Sequence, residues 1–405
     1  MTTLRRSPET IQLPQGYSFS ALAAGIKVSG RPDLALIESA TPAAAAALFT
    51  KNRVVAAPLE VGRASLRKSA GRVRAVVVNS GNANCATGKA GRKSCEEVCR
   101  HAAKLLGVPA SQIFPSSTGI IGVPLPAEKI VAKLPGLVTH RASSAAAALT
   151  FAQAILTTDT RPKIAAQRVR IGKQDITIFG VAKGAGMIHP QMATMLAYIL
   201  TDAAATPRQL RQLLEEASDP TLNAMSVDGD TSTNDTVLLL ANGESKVGLR
   251  NPAVRKKFAA ALTEVCQSLA EQIVSDGEGV KHVIRLFVEQ ARNREEAMIV
   301  ARTIAHSALV KTAWAGADPN WGRILAAVGR SGLTIDPSRV NIWIANQMVC
   351  ENGVSHPFHE NQAHEALSEP VCDIRVQLRR GKSAVRFLTT DLTVEYVHIN
   401  ADYST

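Results

Sequence analysis

The sequence predicts a mixed α/β or α+β protein, on three observations. Short apolar or alternating runs that read as strands are interspersed with helical periodicities along the whole chain. Several of those strands are joined by hairpin signals, which argues against a purely parallel doubly wound sheet. No internal repeat and no low-complexity linker divides the 405 residues, so domain boundaries are weakly marked. In chain order, residues 73–78 read as a buried strand ending in the turn Asn79-Ser80-Gly81-Asn82-Ala83-Asn84. Residues 93–106 have amphipathic helical spacing, with Gly107 as C-cap, and 142–157 are Ala-rich and helical. Residues 167–182 alternate around Gly172-Lys173-Gln174, a hairpin signal. The second half opens with an apolar run near 194–201, read as a helix; further helices follow over 207–217, 252–274 and 291–312. The end of the chain alternates again: 340–346, 372–378 and 384–399 read as strands, the last two joined by Arg380-Gly381-Lys382.

Composition bounds the function. A chain with 46% hydrophobic and 20% charged residues is a folded globular protein, long enough for two to three domains or one large α/β unit. Aromatics make up only 4%, which argues against surfaces that stack sugars or single-stranded bases. The net charge of +12 is uneven: residues 1–193 carry 25 basic and 9 acidic residues (+16), and 194–405 carry 21 and 25 (−4). No run reaches five or six like charges, so the excess reads as solvated surface and no nucleic acid is expected. The six cysteines form no CxxC pair, and no HExxH is present, so no structural zinc is expected. Few cysteines and no signal-peptide pattern suit a reducing, cytoplasmic location; no apolar stretch is long enough for a membrane span.

Four segments combine glycine with small polar residues, where backbone can approach a ligand. In Phe114-Pro115-Ser116-Ser117-Thr118-Gly119-Ile120-Ile121-Gly122, the Thr118-Gly119 step can present a hydroxyl and a backbone N–H to a developing oxyanion. On spacing alone a strand-to-helix turn is favoured, and a P-loop does not fit, since no Gly-Lys-Ser/Thr follows. In 180–196 a strand runs into the glycine-rich Lys183-Gly184-Ala185-Gly186 and reaches Ala193-Thr194 before an apolar run. Spacing there favours Thr194 as an N-cap; the chemical reading is a threonine nucleophile, which needs a base and gains one if the chain is cut before it to free an α-amine. The acidic segment 228–236 lacks the Gly and Glu of a calcium loop and reads as a hydrogen-bonded turn. Glu278 lies between glycines after a long helix, in a cleft or a solvated turn. His189 and His398 are the nearest histidines, and order alone gives neither a catalytic role.

Taken together these segments resemble the ornithine acetyltransferase (glutamate N-acetyltransferase) family of arginine biosynthesis. The resemblance runs through Ala23-Ala24-Gly25-Ile26-Lys27, Asn52-Arg53-Val54-Val55-Ala56-Ala57-Pro58, residues 78–84, Ser117-Thr118-Gly119, Thr157-Thr158-Asp159-Thr160 and 183–196. It continues through 228–235, Asp276-Gly277-Glu278-Gly279, Asp318-Pro319-Asn320-Trp321-Gly322-Arg323-Ile324-Leu325 and Asn400-Ala401-Asp402-Tyr403. It implies a layered α-β-β-α sandwich with a smaller C-terminal α/β lobe. It further implies self-cleavage between Ala193 and Thr194 into an α chain (1–193) and a β chain (194–405, carrying the lobe), entwined and paired as an α2β2 heterotetramer. Thr194 is then the nucleophile of a ping-pong transfer of acetyl from N2-acetylornithine to glutamate, without metal or bound cofactor; some members also take acetyl-coenzyme A. Thr118 and Gly119 match the oxyanion hole, and Thr157, Lys183, Thr194, Glu278, Asn400 and Thr405 match substrate-contacting positions. Lys183 can meet a substrate carboxylate or hold the nucleophile's amine neutral by like-charge repulsion. The block His189-Pro190-Gln191 departs from the family's commoner residues, while Ala193-Thr194 is kept. The alternatives are an N-terminal-nucleophile amidohydrolase or aminopeptidase, distinguished by whether glutamate accelerates turnover, and an RNA-binding protein, distinguished by salt-sensitive binding.

Overall fold

The computed structural model describes residues 11–189 and 195–402. Eight strands form one sheet: β1 (Tyr17–Leu22), β2 (Leu34–Phe49), β3 (Arg72–Asn82), β4 (Ile113–Ile120), β5 (Lys163–Ile171), β6 (Gln174–Lys183), β7 (Leu196–Thr201) and β8 (Thr236–Ala241). Their order is β4-β3-β2-β8-β7-β6-β5, with β1 beside the first half of β2. The long β2 breaks at 40–42, where it is exposed and Pro42 has no amide hydrogen to give; the register with β3 shifts there. Its first half pairs with β1 and its second with β8.

The break folds the sheet back on itself. Tyr17, Phe19, Ile37, Val76, Val78 and Phe114 of the β1–β4 half share one apolar cluster with Phe179, Val181, Tyr198 and Leu238 of the β5–β8 half. Helix α4 (Ala145–Ala154) enters this middle layer, where Phe151 meets Phe19 and Tyr198 edge-on at centroid distances of 6.0 and 5.7 Å. Alternation then sends the opposite residues outward. Leu34, Leu36, Ala75 and Val77 pack with α2 (Gly88–Leu106) and α3 (Ala127–Thr139), and α1 (Ala57–Lys68) lies against β4. Ile176, Ile178, Ile199 and Leu239 pack with α5 (Pro207–Ser218) and α6 (Pro252–Val274). The result is the expected α-β-β-α layering. Local signals set the helix ends: α2 stops at Gly107 (φ 65°), α5 starts in a Thr206–Gln209 capping box, and α6 starts at Asn251 with Pro252 in its first turn.

The smaller C-terminal lobe is a six-stranded sheet of β9 (Val283–Ala291), β10 (Asn341–Ile344), β11 (Gln347–Glu351), β12 (Val354–Ser355), β13 (Val371–Gln377) and β14 (Ser383–Thr390), in the order β12-β11-β10-β13-β9-β14. One face holds an apolar cluster with α7 (Arg294–Ala305), α8 (Ala308–Ala315), α9 (Trp321–Gly329) and α10 (Glu360–Ser368). Helix α11 (Val394–Asp402) ends the described chain.

Three sequence expectations fail. The run near 194–201 is not a helix: over Leu196–Thr201 it is β7, buried in mid-sheet between β6 and β8. A short, mostly apolar run fits a central strand or a buried helix equally, and pairing with β6 and β8 decides. The helix expected over 291–312 is split, because 291 still belongs to β9 and the chain leaves helical form at His306 and Ser307, between α7 and α8. The strand expected over 384–399 ends at Thr390, and 394–402 is helical, started by the Thr393 hydroxyl accepting from Tyr396 N at 3.3 Å. The 163–183 hairpin turns at Gly172 (φ 62°) as expected, with strands slightly longer than predicted.

Candidate active site

The strand ends of the curled sheet converge on one open cleft. Thr118, Gly119, Thr157, Lys183, Glu278 and Asn400 all line it, so the structure brings these sequence-selected residues together. Ala193, Thr194 and Thr405 lie outside the described residues. The chain after Thr194 is fixed: Lys183, the last residue of β6, is the register partner of Leu196, and Met195 N donates to Asp235 Oδ1 at 3.1 Å.

Thr118 and Gly119 sit on β4 itself, parallel to Ser80 and Gly81 of β3, and not in a strand-to-helix turn. Gly119 has φ 132°, and a Cβ there would lie 2.3 Å from the Gly81 carbonyl carbon, so backbone proximity demands glycine. Behind the strand, Ser117 donates to Asn79 Oδ1 at 2.6 Å, and Asn234 Nδ2 donates to Ala83 O and Ser117 O at 2.7 and 2.9 Å. These bonds fix the peptide leading into Thr118.

Lys183 is buried, and its Nζ donates to Thr157 Oγ1 at 2.7 Å and Thr118 Oγ1 at 3.3 Å. Burial holds its pKa below the usual lysine range, while Asp159 pulls it up. Asp159 lies behind it: Oδ1 accepts from Lys163 Nζ and Gly184 N, each at 2.6 Å, and Oδ2 accepts from Thr157 N at 3.1 Å. Burial pushes the Asp159 carboxyl up, but Lys183 and Lys163 outweigh it and hold the pKa at about 2. Lys163 also donates to Asp276 Oδ2 at 2.5 Å, so carboxylates and ammoniums alternate beneath the cleft floor.

Glu278 follows α6 in a turn, with its N–H on Ala185 O at 3.1 Å; Asn400 on α11 donates to its Oε2 at 2.8 Å. A side chain on Gly186 would meet the Glu278 carboxylate at 2.6 Å, so that glycine leaves room for the acid. Asp228, in the acidic turn, accepts from Met187 N and Ile188 N at 2.6 and 2.9 Å, and burial raises its pKa to about 6. Asp235 is pushed well above the carboxylate range, again by burial. The 50–52 segment holds the turn from the other side, through Thr50 Oγ1 to Ser232 O and Asn52 Nδ2 to Thr231 O, each at 2.9 Å.

Sequence reasoning assigned no roles to Asp159, Lys163, Asn234 and Asp235. Asp159 and Asp235 stand inside quoted motifs, but nothing in their spacing shows which cation or amide they meet. His189 meets His306 at 3.2 Å, and neither it nor His398 is among the cleft-lining residues. Burial lowers the His306 pKa to about 3. No group of three or more His, Cys, Asp or Glu among the described residues is arranged to hold a metal ion, and no described helix is long and apolar enough to cross a membrane.

A family model described as the ArgJ family matches residues 18–405. The chain is 45% identical over 394 residues to the arginine biosynthesis bifunctional protein ArgJ of Methylococcus capsulatus, covering 96% of this chain and 95% of that one. It is 46% identical over 396 residues to the protein of the same name from Thermus thermophilus, covering 98% and 100%. The crystal structure of ornithine acetyltransferase complexed with ornithine, from Mycobacterium tuberculosis, aligns with 34% identity and a TM-score of 0.39 over 45% of this chain and 94% of that chain. A family model over nearly the whole chain, and relatives of these identities along their full length, bear out the resemblance carried by the motifs: the chain belongs to the ArgJ family.

Proposed function

We propose that this ArgJ-family enzyme transfers acetyl from N2-acetylornithine to glutamate in arginine biosynthesis, and also acetylates glutamate from acetyl-coenzyme A, in keeping with the word bifunctional in its relatives' names. The observation that carries the reading is the single cleft that Thr118, Gly119, Thr157, Lys183, Glu278 and Asn400 share, beside the point where the chain approaches Thr194.

Hydrolysis of the Ala193–Thr194 bond frees the Thr194 amine. That amine takes the hydroxyl proton as Oγ attacks the acetyl carbonyl. The tetrahedral oxyanion is met by the Thr118 hydroxyl and Gly119 N–H; each such donor is worth roughly 3 kcal/mol in the transition state. Collapse expels the ornithine amine, which recovers the proton and leaves an acetyl ester on Thr194. The glutamate amine then attacks that ester. Lys183 and Glu278 supply a cation and an anion for substrates that carry a carboxylate and an ammonium, with Thr157, Asn400 and Thr405 completing the contacts. The α chain (1–193) and β chain (194–405) stay together because β2 pairs with β8 and β6 with β7 across the cut, over a shared core. Two such units form the α2β2 assembly, in the cytoplasm.

A denaturing gel with N-terminal sequencing tests this. Two bands are expected, the second beginning at Thr194, with turnover of N2-acetylornithine that glutamate accelerates. The Thr194→Ala variant stays uncut and inactive, and Thr194→Ser keeps part of both. A single uncut chain with full transfer activity would overturn the mechanism. Release of acetate at a rate indifferent to glutamate would favour an amidohydrolase.

A further inference from the structure

The mechanism above assigns no role to Asp159, although its carboxylate is fully buried and accepts from the backbone of Thr157 and of Gly184, the residue after Lys183. Oδ2 receives Thr157 N and lies 3.9 Å from Lys183 Nζ; Oδ1 receives the N–H of Gly184, the residue that follows Lys183. As an ammonium, Nζ has three hydrogens and no lone pair. The hydroxyls of Thr157 and Thr118 therefore accept from it and must turn their own hydrogens elsewhere. We propose that Asp159 is a positioning residue for acyl transfer: it holds the Lys183 ammonium against Thr118 Oγ1, which aims the Thr118 O–H at the developing oxyanion and polarises it. This rests on reading Thr118 as an oxyanion donor.

The other charged groups facing Lys183 do not replace Asp159. Asp235 and Glu278 favour its charge, but more weakly than Asp159, whereas Lys163 opposes it; Lys27 is a further cation nearby. Removing the Asp159 charge therefore leaves a buried lysine beside cations, and it gives up its proton at lower pH.

The test uses the purified, processed enzyme with Asp159→Asn and Asp159→Glu, each checked for cleavage by gel before kinetics. In Asp159→Asn, kcat falls roughly a hundredfold while KM changes much less, because the lost interaction is made in the transition state. The alkaline limb of its kcat–pH profile moves to lower pH. Asp159→Glu keeps the charge and holds the limb at the parental pH, with intermediate kcat. A merely structural role lowers activity without moving the limb, so an unmoved limb in Asp159→Asn overturns the proposal. If that variant does not fold, Asp159→Glu decides: a limb displaced to lower pH contradicts the charge role. A parent that is uncut or transfers no acetyl overturns the reading of the cleft itself; an active, cut parent with an unmoved variant limb overturns this inference alone.

Discussion

The cleft floor and the outer face of the C-terminal sheet both carry ion pairs, in opposite settings. Lys163 and Asp159 meet at 2.6 Å with no solvent exposure on either side chain, and Lys163 meets Asp276 at 2.5 Å. On the C-terminal sheet, Arg375 meets Glu289 at 3.4 Å with 50% and 30% of their side chains exposed, and Arg285 meets Asp373 equally in the open. An exposed pair contributes at most about 1 kcal/mol and is screened by salt. A buried pair costs several kcal/mol to desolvate, and apolar residues of similar volume stabilise a fold as well or better. The other face of that sheet packs an apolar cluster, at whose margin Arg380 meets Glu296 at 2.8 Å, both largely buried. The cleft floor thus links its buried charges in one chain, Asp159, Lys163 and Asp276, beside the site, where acyl transfer needs fixed dipoles.

The largest effects should come from breaking this contrast at both ends. Asp159→Ala leaves Lys163 and Lys183 less compensated and should lower unfolding free energy by about 3–5 kcal/mol in denaturant titrations. Phe387→Ala, in the buried core of the lobe, should cost a similar 3–5 kcal/mol through its cavity. Only the first should depress kcat; an equal loss of kcat in still-folded Phe387→Ala would erase the distinction. A smaller effect follows from pH. The Asp159 pKa of about 2 lies below an unfolded value of about 3.9, so the stabilisation is complete above pH 4 and is lost as pH falls from there toward 2. It amounts to about 3 kcal/mol, absent from the Asp159→Asn variant in acid titrations of stability.

Gly186→Ala sharpens the comparison within the cleft. Its Cβ meets the flexible end of Glu278, so the acid can swing away with little loss of stability. KM should rise about tenfold, equivalent to about 1.4 kcal/mol of lost binding. The smallest effect belongs to the outer sheet: Asp373→Ala should change unfolding free energy by less than about 0.5 kcal/mol and leave kinetics untouched.

The sequence carried the fold unevenly. Helix 252–274 and the hairpin around Gly172 were legible because caps, glycine and alternation agree there. Strand β7 was misread because a short, mostly apolar run carries no periodicity that separates a central strand from a buried helix. Residues 394–402 alternate enough to look like a strand, yet form a helix with no buried residue, seated by the Thr393 cap and by Asn400 on Glu278. The site was legible through its motifs, taken together as a family pattern; spacing alone favoured the N-cap for Thr194. The buried network stayed invisible because Lys163 and Asp276 are 113 residues apart, and no local signal records which strand ends a curled sheet brings together.

The most direct test of the central claim, that this cleft performs acyl transfer on Thr194, is to trap the intermediate. The processed enzyme is mixed with N2-acetylornithine without glutamate, quenched in acid, digested and examined by peptide mass spectrometry. The account predicts one acetyl ester on the N-terminal peptide of the 194–405 chain, discharged when glutamate is added before the quench. An acetyl group trapped on another residue, or full transfer by an enzyme that never acquires one at Thr194, would contradict it.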